Sequence, residues 1–145
     1  MSVTVQQADF DAGAEISALG GDGVGAVASF VGLVRGAGIA AMTLEHYPGM
    51  TESALAEIVA QARGRWNLLG VRVIHRVGRL LPGSRIVFVG VASGHRHDAF
   101  AACEFIMDYL KTQAPFWKYE ETPTGGRWVD ARAADDAALN RWRES

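Results

Sequence analysis

Apolar residues recur along this chain with two different periods. Leu55, Ile58, Val59 and Ala62 are spaced by three and four, as are Ala99, Phe100, Cys103, Ile106, Met107 and Leu110. That spacing places each set on one face of a helix. It predicts helices over 51–66, capped by Thr51, and over 95–111, beyond which Pro115 forbids continuation. Small and β-branched runs predict extended segments over 3–6, 25–34, 42–47, 71–77 and 86–93. A short helix over 11–19 ends at Gly20-Gly21, Gly36-Ala37-Gly38 opens a loop, and Leu81-Pro82-Gly83-Ser84 is a turn. Residues 116–121 and 127–129 read as two strands joined by Thr122-Pro123-Thr124-Gly125-Gly126, and the tail after Ala133 as a partly exposed helix. Helices set between strands able to pair antiparallel, without a strict β-α-β rhythm, predict an α+β sandwich. No repeat or long polar linker interrupts it, so residues 1–145 read as a single domain.

Composition narrows the function classes. The chain has 145 residues, 49% hydrophobic and 21% charged, which fits a folded domain able to bury its own core. A net charge of −2 argues against binding nucleic acid through bulk charge. No apolar stretch approaches the ~20 residues needed to span a bilayer, so no membrane association is expected. The N-terminus lacks a basic region followed by an apolar run, so no secretory leader is expected. The single Cys103 suits a reducing compartment, and a cytoplasmic location is expected. On an apolar helix face it reads as a core thiol, not a nucleophile.

One asymmetry stands out. Of the 14 basic residues 12 are arginine, and the two lysines, Lys111 and Lys118, lie seven positions apart. An arginine-favouring composition is one explanation. Lysine differs from arginine in having a proton it can lose. Lys111 falls in the last helical turn, where the dipole favours a cation. Lys118 alternates with Trp117 and Tyr119, and Glu120 on its own face is a candidate ion-pair partner.

Arg35 ends a strand where a glycine loop begins, the usual support for a functional side chain. Ser93-Gly94-His95-Arg96 sits where a strand gives way to a helix, a place suited to anions. The bland alternative packs His95 at the helix start and pairs Arg96 with Asp98 or Glu104. His46, at a strand end, is either structural or pocket-lining. His75 reads as a core or interface histidine and His97 as a surface one. No histidine has a second ligand at metal spacing, and neither a metal nor a cofactor is expected.

Together these segments resemble a known family. Leu44-Glu45-His46-Tyr47-Pro48-Gly49-Met50, Val73-Ile74-His75-Arg76-Val77-Gly78, Ser93-Gly94-His95-Arg96 and the stretch from Met107 to Lys118 containing Pro115-Phe116-Trp117 resemble the catalytic large subunit of molybdopterin synthase. The likeness runs from about residue 24 to 132. It implies an α/β hammerhead-like sandwich with an additional antiparallel β subdomain. It also implies a homodimer, and a heterotetramer with a small ubiquitin-like sulfur-carrier subunit. That partner's C-terminal Gly-Gly thiocarboxylate would give sulfur to cyclic pyranopterin monophosphate, forming the dithiolene of molybdopterin.

By motif position the resemblance makes Lys111 and Lys118 catalytic, and Arg35, His95 and Arg96 holders of the substrate's phosphate and pterin. It places Tyr119 and Glu120 in the substrate-contacting segment and adds Arg132. Leu33 and Val34 would flank the pocket through backbone groups. Two departures stand out: many relatives carry a basic residue where this chain has Leu33, and the loop over 36–41 is short. Two other classes remain open on sequence: a different phosphate-substrate enzyme on the same scaffold, and a non-catalytic subunit that only binds the ubiquitin-like partner.

Overall fold

A computed structural model describes residues 2–129 and 133–143. The elements run β1 (Val3–Gln6), α1 (Ala12–Ala18), β2 (Ala26–Leu33), β3 (Ala41–His46), α2 (Met50–Arg65), β4 (Leu68–Arg76), β5 (Gly78–Leu80), β6 (Arg85–Ser93), α3 (Arg96–Gln113), β7 (Phe116–Thr122), β8 (Gly125–Val129) and α4 (Ala133–Arg143). They form two four-stranded sheets, in the orders β1-β4-β6-β2 and β5-β3-β7-β8. In the first, β1 lies parallel to β4 and the other pairs are antiparallel. The second is antiparallel throughout. The fold is therefore α+β, with the second sheet standing as the antiparallel subdomain.

Strand alternation divides the first sheet into two faces. Val71, Val73, Val87, Val89 and Val91 turn toward α2 and α3, meeting Leu55, Ile58 and Val59 from one helix and Phe105, Ile106 and Leu110 from the other. Ile74 and Phe88 turn to the opposite face and pack with Phe10, next to α1. A smaller cluster of Val34, Met42, Leu44 and Leu80 joins β2 to the second sheet.

Local chemistry departs from the sequence expectation at two places. First, Thr51 does not cap α2. Gly49 does so, at φ +86°, and its N–H donates to the Glu52 carboxylate at 2.9 Å. Thr51 is buried inside the first turn, its hydroxyl donating to the Tyr47 carbonyl at 2.8 Å. Second, β5 has no counterpart in the expected elements. Gly78, at φ +91°, turns the chain out of the first sheet and into the second, a conformation open to glycine. The tail helix α4 is partly exposed and packs on α3: Leu139 is buried, and the Trp142 indole N–H donates to Asp108 at 2.6 Å. At the end of α3, Ala114 is extended, as a residue before proline prefers, and the helix stops at Gln113.

Candidate active site

Lys111 lies in the last turn of α3, exposed, with Met107 and Leu110 beside it anchored in the core. The chain then turns at Pro115, with the Phe116 N–H donating to the Ala114 carbonyl at 2.9 Å, and enters β7. Lys118 on that strand is half-buried, opposite Leu44 of β3 and Val129 of β8. Alternation puts Phe116 and Lys118 on the face shared by Met42, Leu44 and His46.

His75 lies within range of the charges of both lysines. It is 5% exposed, and its ring stacks on Phe116 with centroids 3.7 Å apart and planes 16° apart. Its Nδ1 lies 2.8 Å from the Arg76 carbonyl and must donate, leaving the lone pair on Nε2. Burial, followed by the charges of Lys118, Lys111 and His46, lowers its pKa to about 3, against the raising effect of the Arg76 bond. The ring is therefore neutral at physiological pH. His46, the cross-strand neighbour of Phe116, lies beside it with ring centroids 6.3 Å apart. The Thr51 hydroxyl spends its proton on Tyr47, so at 3.2 Å it accepts from His46 Nδ1.

The remaining candidates separate into groups. Arg35 is exposed, just past buried Val34. Val34 donates to the Ser84 carbonyl and accepts from the Gly83 N–H, both at 2.9 Å, so its N–H is committed to the 81–84 turn. Leu33 is 57% exposed, at a register shift that ends β2. Glu120 does not pair with Lys118. Its carboxylate accepts from Arg127, its cross-strand neighbour, at 3.0 and 3.1 Å. Tyr119 faces away from Lys118, edge-on to Trp128 at 5.1 Å. Arg132 lies outside the described residues.

His95 and Arg96 begin α3, both exposed. Glu104 is taken by Arg141, so it does not serve Arg96. Among the described residues Arg35, Arg63, Arg96, Lys111 and Arg143 have no ion-pair partner, whereas Arg72, Arg76, Arg79, Arg85 and Arg127 each have one and Arg141 has two. Cations left unpaired are available to an anionic ligand.

These residues do not all meet within one chain. Arg96 and Lys111 are fifteen positions apart on one helix, or about 22 Å at 1.5 Å per residue. The β2–β6 ladder fixes the ends independently. Ala26 pairs with Ser93 beside His95, and Leu33 pairs with Arg85 at the far end. His75 pairs with Val87, so it lies at the Arg85 end with Arg35, and Lys111 acts on it there. One end holds Arg35, Lys111, Lys118 and His75; the other holds His95 and Arg96.

Cys103 is buried, and desolvation followed by the Glu104 charge pushes its thiol up to about 11, an inert thiol. Sequence reasoning missed the bracket of His75, Phe116 and His46. The available signal was that Phe116 and Lys118 share a strand face, but nothing local brings His75 beneath it.

Residues 5–113 match the profile of the family described as MoaE protein. The chain belongs to the MoaE family. It is 63% identical to the molybdopterin synthase catalytic subunit of Ralstonia nicotianae, over 97% of this chain and 84% of that one. Its likeness to the same subunit of Pseudomonas aeruginosa is 57% over 99% and 100% of the two chains. Among solved structures, the molybdopterin biosynthesis MoaE protein from Burkholderia ambifaria superposes with a TM-score of 0.87 and 58% identity, covering 98% and 97%. Both relatives are named as catalytic subunits of molybdopterin synthase, and the Burkholderia ambifaria protein shares this two-sheet α+β architecture.

Proposed function

We propose that this chain, acting as one domain in the cytoplasm, transfers sulfur from the C-terminal thiocarboxylate of a small ubiquitin-like subunit to cyclic pyranopterin monophosphate. Its catalytic residues are Lys111 and Lys118. The observation that carries this reading is the stack of buried His75 on Phe116, which sets Lys118, two residues further on the same strand face, and the last turn of α3 with Lys111 around one imidazole. Sulfur addition opens the cyclic phosphate and develops negative charge. Fixed cations stabilise that charge more in the transition state than in the ground state. A lysine there can also give up a proton, which arginine does not. Hydrolysis then frees the partner's carboxylate.

Arg35 anchors the substrate's anionic groups from the lysine end. With the length of α3 between them, His95 and Arg96 of the same chain cannot join it on one small substrate. In the homodimer they serve the site of the other copy, so each site draws on two chains. A buried free Cys103 suits the reducing cytoplasm, and no helix among the described residues is long and apolar enough to cross a membrane.

The test is incubation with thiocarboxylated small subunit and cyclic pyranopterin monophosphate, following molybdopterin. Lys111→Arg and Lys118→Arg are each expected to lower the rate by about 100-fold, the scale of proton-transfer catalysis, while still binding the small subunit. Near-normal rates in both would leave the lysines only a charge role. Formation of product without any thiocarboxylate would overturn the reading itself.

A further inference from the structure

We infer that His75 is a positioning residue for the two-lysine site, acting through Phe116 to fix where Lys118 stands relative to Lys111. The inference rests on the sulfur-transfer reading above and extends it to a residue that touches no reacting atom.

The connection between the lysines is only six residues long, and it changes direction sharply. It leaves α3 after Gln113, bends at Pro115 and enters β7 at Phe116. Phe116 is its aromatic anchor. The ring packs against the main core and stacks face-on with His75, and it sits two residues before Lys118 on the same strand face. A shift of Phe116 along the stack is carried directly into Lys118, because adjacent residues of a paired strand move together.

His75 suits this role because its own position is fixed three times over. Its backbone lies in the β4 ladder between Val5 of β1 and Val87 of β6. Its Nδ1–H is committed to the Arg76 carbonyl, which sets the ring plane. Its neighbours on that sheet face, Val73 and Val87, are fully packed. The ring belongs to the rigid first sheet, whereas Phe116 belongs to the second. The stack thus joins the two sheets at the lysine end, beside the cluster of Val34, Met42, Leu44 and Leu80. A neutral ring also keeps a third positive charge out from beneath two lysines, which a cationic residue at this position would introduce.

Three variants separate the ring's packing from its polarity. His75→Phe keeps a flat ring against Phe116 and loses the nitrogens. His75→Gln keeps a polar group without the ring, and His75→Ala keeps neither. All are first checked for thermal midpoint and small-subunit binding. With thiocarboxylated small subunit and cyclic pyranopterin monophosphate, His75→Ala and His75→Gln are expected to lose about 10- to 100-fold in kcat with KM nearly constant, the scale expected when a reacting group is displaced by about 1 Å. His75→Phe is expected to recover kcat to within about threefold of wild type on the same scale.

A second readout needs neither partner nor substrate. Trace acetylation of the free protein with acetic anhydride, read by mass spectrometry, gives the reactivity of Lys118 relative to Lys111. That ratio is expected to rise at least about threefold in His75→Ala and His75→Gln through local loosening, and to hold in His75→Phe. An unchanged ratio in all three overturns the inference, as does wild-type kcat in a folded His75→Ala. Equal loss in His75→Phe and His75→Ala also overturns it, since the ring nitrogen rather than the stack would then matter. If the wild-type protein forms no product, the sulfur-transfer reading fails, and the acetylation ratio still decides the role of His75.

Discussion

Burial and the charges of Lys118, Lys111 and His46 hold His75 down to about 3, while an unfolded chain takes up a proton there near pH 6.5. Between those values the unfolded state carries one more proton than the folded state. Stability therefore falls as pH drops below about 6.5, by up to about 1.4 kcal/mol per pH unit, and His75 adds no pH dependence above that. Asp9 acts in a lower window. Its hydrogen bond from Arg85 holds it to about 2, so its contribution is present above its ordinary value of 3.8 and is lost below it. Urea unfolding of wild type and His75→Phe between pH 4 and 6.5 isolates the histidine. The variant's stability is expected to vary less steeply, by about one proton; equal slopes would mean that the folded ring titrates freely. At this scale the sequence singled out Lys111 and Lys118 as candidates, because their contrast with twelve arginines and their motif are local. The partner of Glu120 was not legible. Its bond to Arg127 depends on the β7–β8 register, which alternation along one strand leaves undefined.

The start of α3 depends on a contact between two glycines. A Cβ on Gly25 would meet the Gly94 carbonyl, a backbone group that cannot swing aside, and the Gly25 N–H donates to the Ser93 carbonyl at 3.0 Å. Gly25→Ala is expected to push the Ser93–Arg96 corner outward, costing about 1–3 kcal/mol as an overpacked site does. The KM for the cyclic substrate should rise more than kcat falls, because the lysine end is undisturbed. Gly21→Ala, with nothing within 4 Å of its added Cβ, is the control and should match wild type in both. Steady-state kinetics with denaturant melts checks the pair, and equal behaviour of the two would remove the close approach from the account. Most elements were legible because each carries its own periodicity. The expected strand over 71–77 begins earlier, at Leu68, and β5 was not expected, since three residues with a glycine at the bend carry no pattern. The hand-over at Gly78 is a tertiary event: the chain leaves one sheet because another accepts it.

In the whole molecule the length of α3 decides how sites are assembled. If Lys111 of one copy works with His95 and Arg96 of the other, two inactive variants should rescue each other. Lys111→Ala mixed with an Arg96→Ala chain gives half mixed dimers on random pairing, each with one intact site out of two, so about one quarter of wild-type activity is expected. A site built within one chain gives none, so coupled product formation after mixing and re-association separates the cases. The sequence named all these cations but could not say which stand together, because that requires the direction in which α3 runs back across the sheet.

The strand pairings have a further consequence for synthesis. Val5 meets His75 seventy residues later, and Ala41 meets Glu121 eighty later, so neither sheet is completed by neighbours in sequence. Closing such long loops precedes any reward from the contacts they make. A chain still on the ribosome therefore has no assembled lysine end until Phe116 has emerged to cover His75, and that end of the molecule takes shape only when the final third is made.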